Sequence, residues 1–307
     1  MFSFLKKKSH TGILGIEISD QGLSLAVAKP DAKGHLQVVS CMSKKCDKSK
    51  FLTHLKEWVV EHNLNGQDCH VVLSSSQYKT YPVERPQVED SEIADAVRWK
   101  VKDLLDYPIE DAVIDVYDFP TDALRGRPEQ VSVVSSRTST IQSLVNIVEE
   151  AGLKLITIDI IDLAIRNVAN RLVEDKNQTA ALLYLRAGDG MIVLIKNETL
   201  YFSRHFDFSL EALNDVEQQD NVIQHLALEV QRSFDYFDSQ MAQVPPQFLY
   251  LVGPTPNIPL ANMLGGSISA QVKVFDMSLC FGEQHKITQD DINGFAAIGS
   301  ALKEGPI

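Results

Sequence analysis

The sequence predicts an α/β protein of two like lobes with a smaller α/β unit set between them, and three observations carry that reading. The order strand–turn–strand–turn–strand, helix, strand occurs twice, about 165 residues apart, and such a recurrence points to a duplicated unit. The stretch between the copies follows a different pattern and contains its own helices and strands. The chain has 307 residues, 44% hydrophobic and 23% charged, an ordinary globular balance with enough apolar side chains for one large or two medium cores.

In the first copy, residues 12–28 form two apolar runs split by Asp20-Gln21-Gly22, a hairpin signal with glycine where a tight turn needs it. A strand at 36–42, a helix at 50–62 with Phe51, Leu55 and Val59 on one face, and a strand at 70–73 complete it. In the second copy, the runs at 180–185, 191–195 and 200–203 are separated by turns at Ala187-Gly188-Asp189-Gly190 and Asn197-Glu198. A helix over 220–241 carries Ile223, Leu226, Val230, Phe234, Phe237 and Met241 on one stripe, and a strand at 248–252 follows.

Between the copies, residues 81–88 read as a strand or linker with two prolines. A helix over 91–105 stops before Pro108, and strands follow at 112–118 and 131–135. A helix over 138–151 ends at Gly152, a strand lies at 155–158, and a helix covers 161–172. A last helix at 289–302 packs back on the first lobe. The expected division is a tail at 1–10, a first lobe of 11–79 with 158–177 and 285–307, an insert of 80–157 and a second lobe of 178–284.

A net charge of −12 argues against a nucleic-acid binder, since phosphate neutralisation needs a basic field. Lys6-Lys7-Lys8 follows too short an apolar stretch for a signal peptide; it reads as a solvated tail or as an electrostatic touch on an anionic leaflet. No apolar run approaches the roughly 18–20 residues of a membrane span. The four cysteines (41, 46, 69 and 280) form no CxxC pair and no histidines stand at i, i+4, so no metal is expected. The aromatic tract of Phe206, Phe208, Phe234, Tyr236 and Phe237 reads as core. Asp159 with Asp162 resembles an acid–base pair only superficially, and Asp290-Asp291 suits a helix N-terminus. Neither a Gly-x-Ser-x-Gly nor a P-loop pattern is present.

The order of elements resembles the actin-like superfamily, a duplicated ribonuclease-H-like fold. The stretches Ile93-Ala94-Asp95-Ala96-Val97-Arg98-Trp99-Lys100 to Tyr107-Pro108-Ile109-Glu110-Asp111, Ser132 to Arg137 with Glu150-Ala151-Gly152-Leu153-Lys154, and Glu229-Val230-Gln231-Arg232-Ser233-Phe234-Asp235-Tyr236-Phe237 resemble the PilM proteins of type IV pilus assembly, as do both ends of the chain. Within that group the chain is most similar to the MshI branch, which serves the mannose-sensitive haemagglutinin (MSHA) pilus.

The resemblance implies ATP between the lobes, its phosphates wrapped by two turns and Mg²⁺ held by neighbouring carboxylates. Against that pattern the first turn reads Gly15-Ile16-Glu17-Ile18-Ser19, with Asp20 beside it. The second reads Tyr184-Leu185-Arg186, without the metal-side carboxylate. The third, Arg204-His205-Phe206-Asp207-Phe208-Ser209, has no glycine, and the adenosine turn reads Val252-Gly253-Pro254-Thr255-Pro256. Losing one donor costs on the order of 1–3 kcal/mol, so several losses move a micromolar site toward millimolar at about 1.4 kcal/mol per tenfold.

Ser19, Asp20, Gln21, Gly22, Gly188 and Gly253 are thus expected as remnants of nucleotide turns, with ATP and Mg²⁺ weakly held at best and no enzymatic activity. The resemblance also implies an adaptor, peripheral at the cytoplasmic face of the inner membrane and linked to the pilus assembly motor. It would bind the cytoplasmic tail of a PilN-like partner (MshJ-like in the haemagglutinin system) in a pocket between the first lobe and the insert, around residues 80–135. Arg98, Trp99 and Tyr107 are the partner-binding candidates, Trp and Arg being common interface anchors. An ATPase that still switches with nucleotide, and a relative of the cytoplasmic domain of a type II secretion protein, are the alternatives.

Overall fold

The computed structural model describes residues 12–20, 22–172, 177–253, 258–282 and 285–304. Three antiparallel strands, β1 (Ile13–Ser19), β2 (Gly22–Pro30) and β3 (Leu36–Lys44), open the chain. Helix α1 (Phe51–Glu61) buries Phe51, Leu55 and Val59 at i, i+4, i+8, and β4 (Asp68–Leu73) returns parallel to β1. The insert follows as β5 (Tyr78–Glu84), α2 (Ile93–Val101), β6 (Ala112–Asp118) and β7 (Gln130–Arg137). Helices α3 (Thr138–Glu150) and α4 (Ile161–Ala169) flank β8 (Lys154–Ile160).

The second lobe holds β9 (Ala180–Leu185), β10 (Gly188–Lys196), β11 (Thr199–Phe208), α5 (Leu210–Asn214), α6 (Gln219–Met241), β12 (Phe248–Val252), α7 (Leu260–Gly265) and β13 (Gln271–Val274). Helices α8 (Gln289–Asn293) and α9 (Phe295–Ala301) close the described chain.

The first sheet runs β3-β2-β1-β4-β8 and the second β11-β10-β9-β12-β13. Each therefore places its third, second, first, fourth and fifth strands side by side, a meander of three followed by two parallel strands. The insert sheet, β5-β7-β6, is antiparallel throughout. Its own small core joins Ile93, Val97 and Val101 of α2 to Val131 and Val133 of β7.

Two differences from the sequence reading follow from packing. Residues 138–157 do not belong to the insert: Leu144 and Val148 of α3 join Leu55 and Val59 of α1 in the first-lobe core, and β8 pairs with β4. The insert also packs on the second lobe, which the sequence does not indicate. Ala123 is buried in the second-lobe core, the Tyr201 hydroxyl donates to Asp122 at 2.7 Å, and Arg127 donates to the Gln240 carbonyl near the end of α6 at 3.1 Å.

The helix expected over 289–302 is broken at Gly294 into α8 and α9. Thr288 and Asp291 form a capping box at the start of α8. Helix α9 lies between β1 and α4, where backbones meet closely. A Cβ on Gly15 would stand 2.0 Å from the Ala297 carbonyl oxygen, and one on Gly299 would stand 2.1 Å from that of Ala164. Leu182, Tyr184 and Met191 from the second sheet share one core with α4, α9 and the first sheet, so the lobes are joined by apolar packing as well as by loops.

Candidate functional site

Two concavities meet at the C-terminal end of β1. One is the cleft between the lobes, about 250 Å³, lined by Glu17, Ser19, Gly22, Lys44, Lys45, Tyr184, Arg186 and neighbours. The other is a groove of about 530 Å³ between the first lobe and the insert.

In the cleft, β1 presents Glu17 from the first lobe and the end of β9 presents Arg186 from the second. Arg186 Nη1 donates to Glu17 Oε1 at 2.5 Å, while Nε and Nη2 donate to the two oxygens of Asp189 at 2.9 Å each. Ser75, after β4 in the first lobe, donates to Asp189 at 3.0 Å. The side chains are 4% (Glu17), 12% (Arg186) and 26% (Asp189) exposed. Burial pushes the Glu17 carboxyl above its ordinary value, and Arg186 opposes that shift without cancelling it. Burial also acts upward on Asp189, but the hydrogen bonds and charge of Arg186, with Ser75, hold it below its ordinary value. A second polar crossing lies nearby: Asp162 of α4 accepts from Tyr78 and lies 3.2 Å from His205 Nε2 of β11.

The sequence candidates fall unevenly on this geometry. Ser19 and Gly22 line the cleft, and Ser19 and Asp20 line the groove. Asp20 also pairs with Lys48 at 2.8 Å. Gly188 begins β10 beside the Arg186–Asp189 pair. Gly253 takes φ +153°, and a Cβ there would stand 2.5 Å from the Leu185 carbonyl oxygen, so close backbone packing accounts for this glycine. Gln21 and the prolines of the fourth turn lie outside the described residues. Asp189, five residues on from Tyr184, stands behind the cleft-lining Arg186 and accepts from its guanidinium. In the sequence Asp189 reads as a turn residue; the signal for a larger role is its place at the start of the second strand of a meander.

The groove has one wall from Ser76, Gln77, Tyr78 and Lys79, another from Ser139, Thr140 and Ser143 of α3, and a rim of Asp106, Tyr107 and Arg137. The 74–77 turn is held by a capping box between Ser74 and Gln77. The Tyr107 and Ser135 hydroxyls stand 2.6 Å apart, and the Arg137 guanidinium lies 4.3 Å from the Tyr107 ring centroid. Asp106 pairs with Lys79 at 3.0 Å and with Arg137 at 3.5 Å.

Of the three partner candidates, Tyr107 alone lines the groove. Arg98 donates to the Ile109 carbonyl at 2.5 Å and so braces the segment that carries Tyr107. Trp99 is 71% exposed on the outer face of α2. Arg137, Lys79 and Asp106 are groove residues that no sequence signal marks, because β7, β5 and the loop after α2 bring them together from distant parts of the chain. Among the described residues, no group of His, Cys, Asp and Glu is arranged to hold a metal ion, and no helix is long and apolar enough to cross a membrane.

No family model and no curated protein sequence matches the chain. Solved structures do. The PilM–PilN type IV pilus biogenesis complex aligns at a TM-score of 0.77 and 20% identity, covering 94% of this chain and 97% of the matched one. The cytoplasmic domain of EpsL, an inner-membrane component of the type II secretion system of Vibrio cholerae, aligns at 0.55 and 16% identity, covering 88% and 92%. A protein of unknown function with an actin-like ATPase fold from Bacteroides thetaiotaomicron aligns at 0.52 and 17%, covering 90% and 94%. The fold is therefore actin-like, with the α/β lobes duplicated.

Proposed function

We propose that this chain is a non-enzymatic adaptor of type IV pilus biogenesis that receives the cytoplasmic tail of a PilN-like inner-membrane protein in the groove between the first lobe and the insert. The observation that carries the proposal is the groove itself: an open groove of about 530 Å³ with a mixed polar and apolar lining in a fold that aligns over 94% of its length with a PilM–PilN complex. The finer assignment, to the MSHA pilus with an MshJ-like partner and a link to the assembly motor, rests on the sequence resemblance. On this reading the chain works at the cytoplasmic face of the inner membrane.

The cleft supports the non-enzymatic part. A magnesium nucleotide would need the carboxylates near its phosphates free, and here Glu17 and Asp189 are occupied by Arg186. The cleft's volume, about 250 Å³, is also below the roughly 300–1,000 Å³ usual for small-molecule sites. These residues do not fit the group, and no catalytic step is assigned. One feature favours a nucleotide-responsive ATPase as second reading: Glu17 and Asp189 face a common point from opposite lobes, a pair open to a metal were Arg186 to withdraw. The likeness to the EpsL domain supports a type II secretion relative as a third.

The test is calorimetric titration of the chain with a synthetic peptide of the partner's tail. Micromolar binding, lost in Tyr107→Ala and Arg137→Glu and kept in Trp99→Ala, is expected. Absence of binding at millimolar peptide sinks the adaptor reading.

A further inference from the structure

We propose that Arg186 is a resident cation that fastens the two lobes across the cleft, holding them in one arrangement without any bound ligand. The polar path crosses the cleft twice. Glu17 of the first lobe meets Arg186 of the second at 2.5 Å, and Asp189 of the second lobe meets Ser75 of the first at 3.0 Å. Arg186 joins these crossings because its planar fork serves both carboxylates at once, with one nitrogen on Glu17 and two on Asp189. A lysine in its place has a single ammonium and cannot hold the same two-sided geometry.

The surroundings reinforce the clasp. Glu17 is almost wholly buried, and a buried carboxylate without a cation is costly, so parting the lobes means stripping Glu17 of its partner or dragging Arg186 from Asp189. The Tyr184 ring centroid lies 5.8 Å from the guanidinium, and the ring packs tilted against Phe295 of α9 with centroids 5.2 Å apart. Lys44 and Lys45 line the cleft as well, but neither has an ion pair with Glu17 or Asp189 among the described residues. The Asp162–His205 contact is a separate crossing and leaves Glu17 unserved. The clasp also borders the groove, since Ser75 precedes the groove residues Ser76 and Gln77, and Glu17 stands two residues before Ser19.

The lobe separation can be read directly. Spin labels are placed at Val60→Cys in the first lobe and Val216→Cys in the second, both exposed valines, in the full chain with Cys41 and Cys46 replaced by serine. Pulsed dipolar spectroscopy of the parent should give one narrow distance distribution, unchanged by Mg-ATP. Arg186→Ser should add a longer-distance population at least about tenfold larger than any in the parent, equivalent to about 1.4 kcal/mol, and Arg186→Lys should fall between.

A distribution in Arg186→Ser as narrow as the parent's overturns the clasp. Should Arg186→Ser fail to fold, Glu17→Gln and Ser75→Ala each weaken one crossing; both must broaden the distribution, and a parent-like width in either overturns it equally. The tail peptide takes no part in this experiment, so its outcome is separable from that of the groove.

Discussion

Gly15 opens the segment that resembles a phosphate turn, yet the structure gives it a different task. Its Cα faces the backbone of α9, and an added Cβ would lie 2.0 Å from the Ala297 carbonyl oxygen, 2.4 Å from the Ala301 nitrogen and 3.0 Å from the Ala301 Cβ. The two nearest atoms are backbone, so no side-chain rotation relieves the contact, and α9 must retreat by about 1 Å to reach the shortest separation real Cβ atoms show. It has nowhere to go: on its other side Gly299 already brings it against the Ala164 carbonyl of α4. Overpacking a core typically costs about 1–3 kcal/mol, and a contact confined by backbone on both sides belongs at the upper end. Gly15→Ala is therefore expected to lose about 3 kcal/mol of unfolding free energy in urea denaturation followed by circular dichroism. A variant within about 1 kcal/mol of the parent would refute the reasoning and restore a ligand-related explanation for this glycine.

Three further outcomes follow. Titration with Mg-ATP should show a Kd no tighter than about 1 mM, some 4 kcal/mol of binding; a value of tens of micromolar or tighter contradicts the account of the cleft. Ala242 ends α6 in the left-handed region at φ 54°, so Ala242→Gly should stabilise by about 0.5–1 kcal/mol, and an unchanged or lower urea midpoint would count against this. Burial acts to raise Asp162, but His205 and its other hydrogen-bond partners hold it below its ordinary value of 3.8. A depressed carboxyl contributes stability above the unfolded-state value that is lost as pH falls below it, so Asp162→Asn should flatten the decline in urea midpoint below pH 3.8; equal slopes in parent and variant would remove Asp162 from the acid limb.

Much of the architecture is legible in the sequence because its signals are local. The stripe of Phe51, Leu55 and Val59 predicts α1, and the recurrence of the meander predicts two like sheets. The edge of the insert is not legible. Helix α3 has the same apolar spacing whether it covers the insert or packs on α1, and only the long-range pairing of β8 with β4 decides. The cleft divides similarly. Tyr184 and Arg186 are visible as departures from a phosphate turn, whereas the contact from Arg186 to Glu17 spans 169 positions and no spacing rule reaches that far. Residue type singles out Trp99, and Tyr107 stands just past the helix that carries it; neither cue says which way a side chain faces, and only Tyr107 lines the groove.

The most direct test of the central claim is to map amide chemical-shift changes on the full chain during titration with a PilN-type tail peptide. Changes are expected to concentrate on the groove, at Ser76, Gln77, Tyr107, Arg137, Ser139 and Thr140, with Arg186 and Asp189 moving little. Changes centred on Arg186 and the interlobe cleft, or none at saturating peptide, would contradict it.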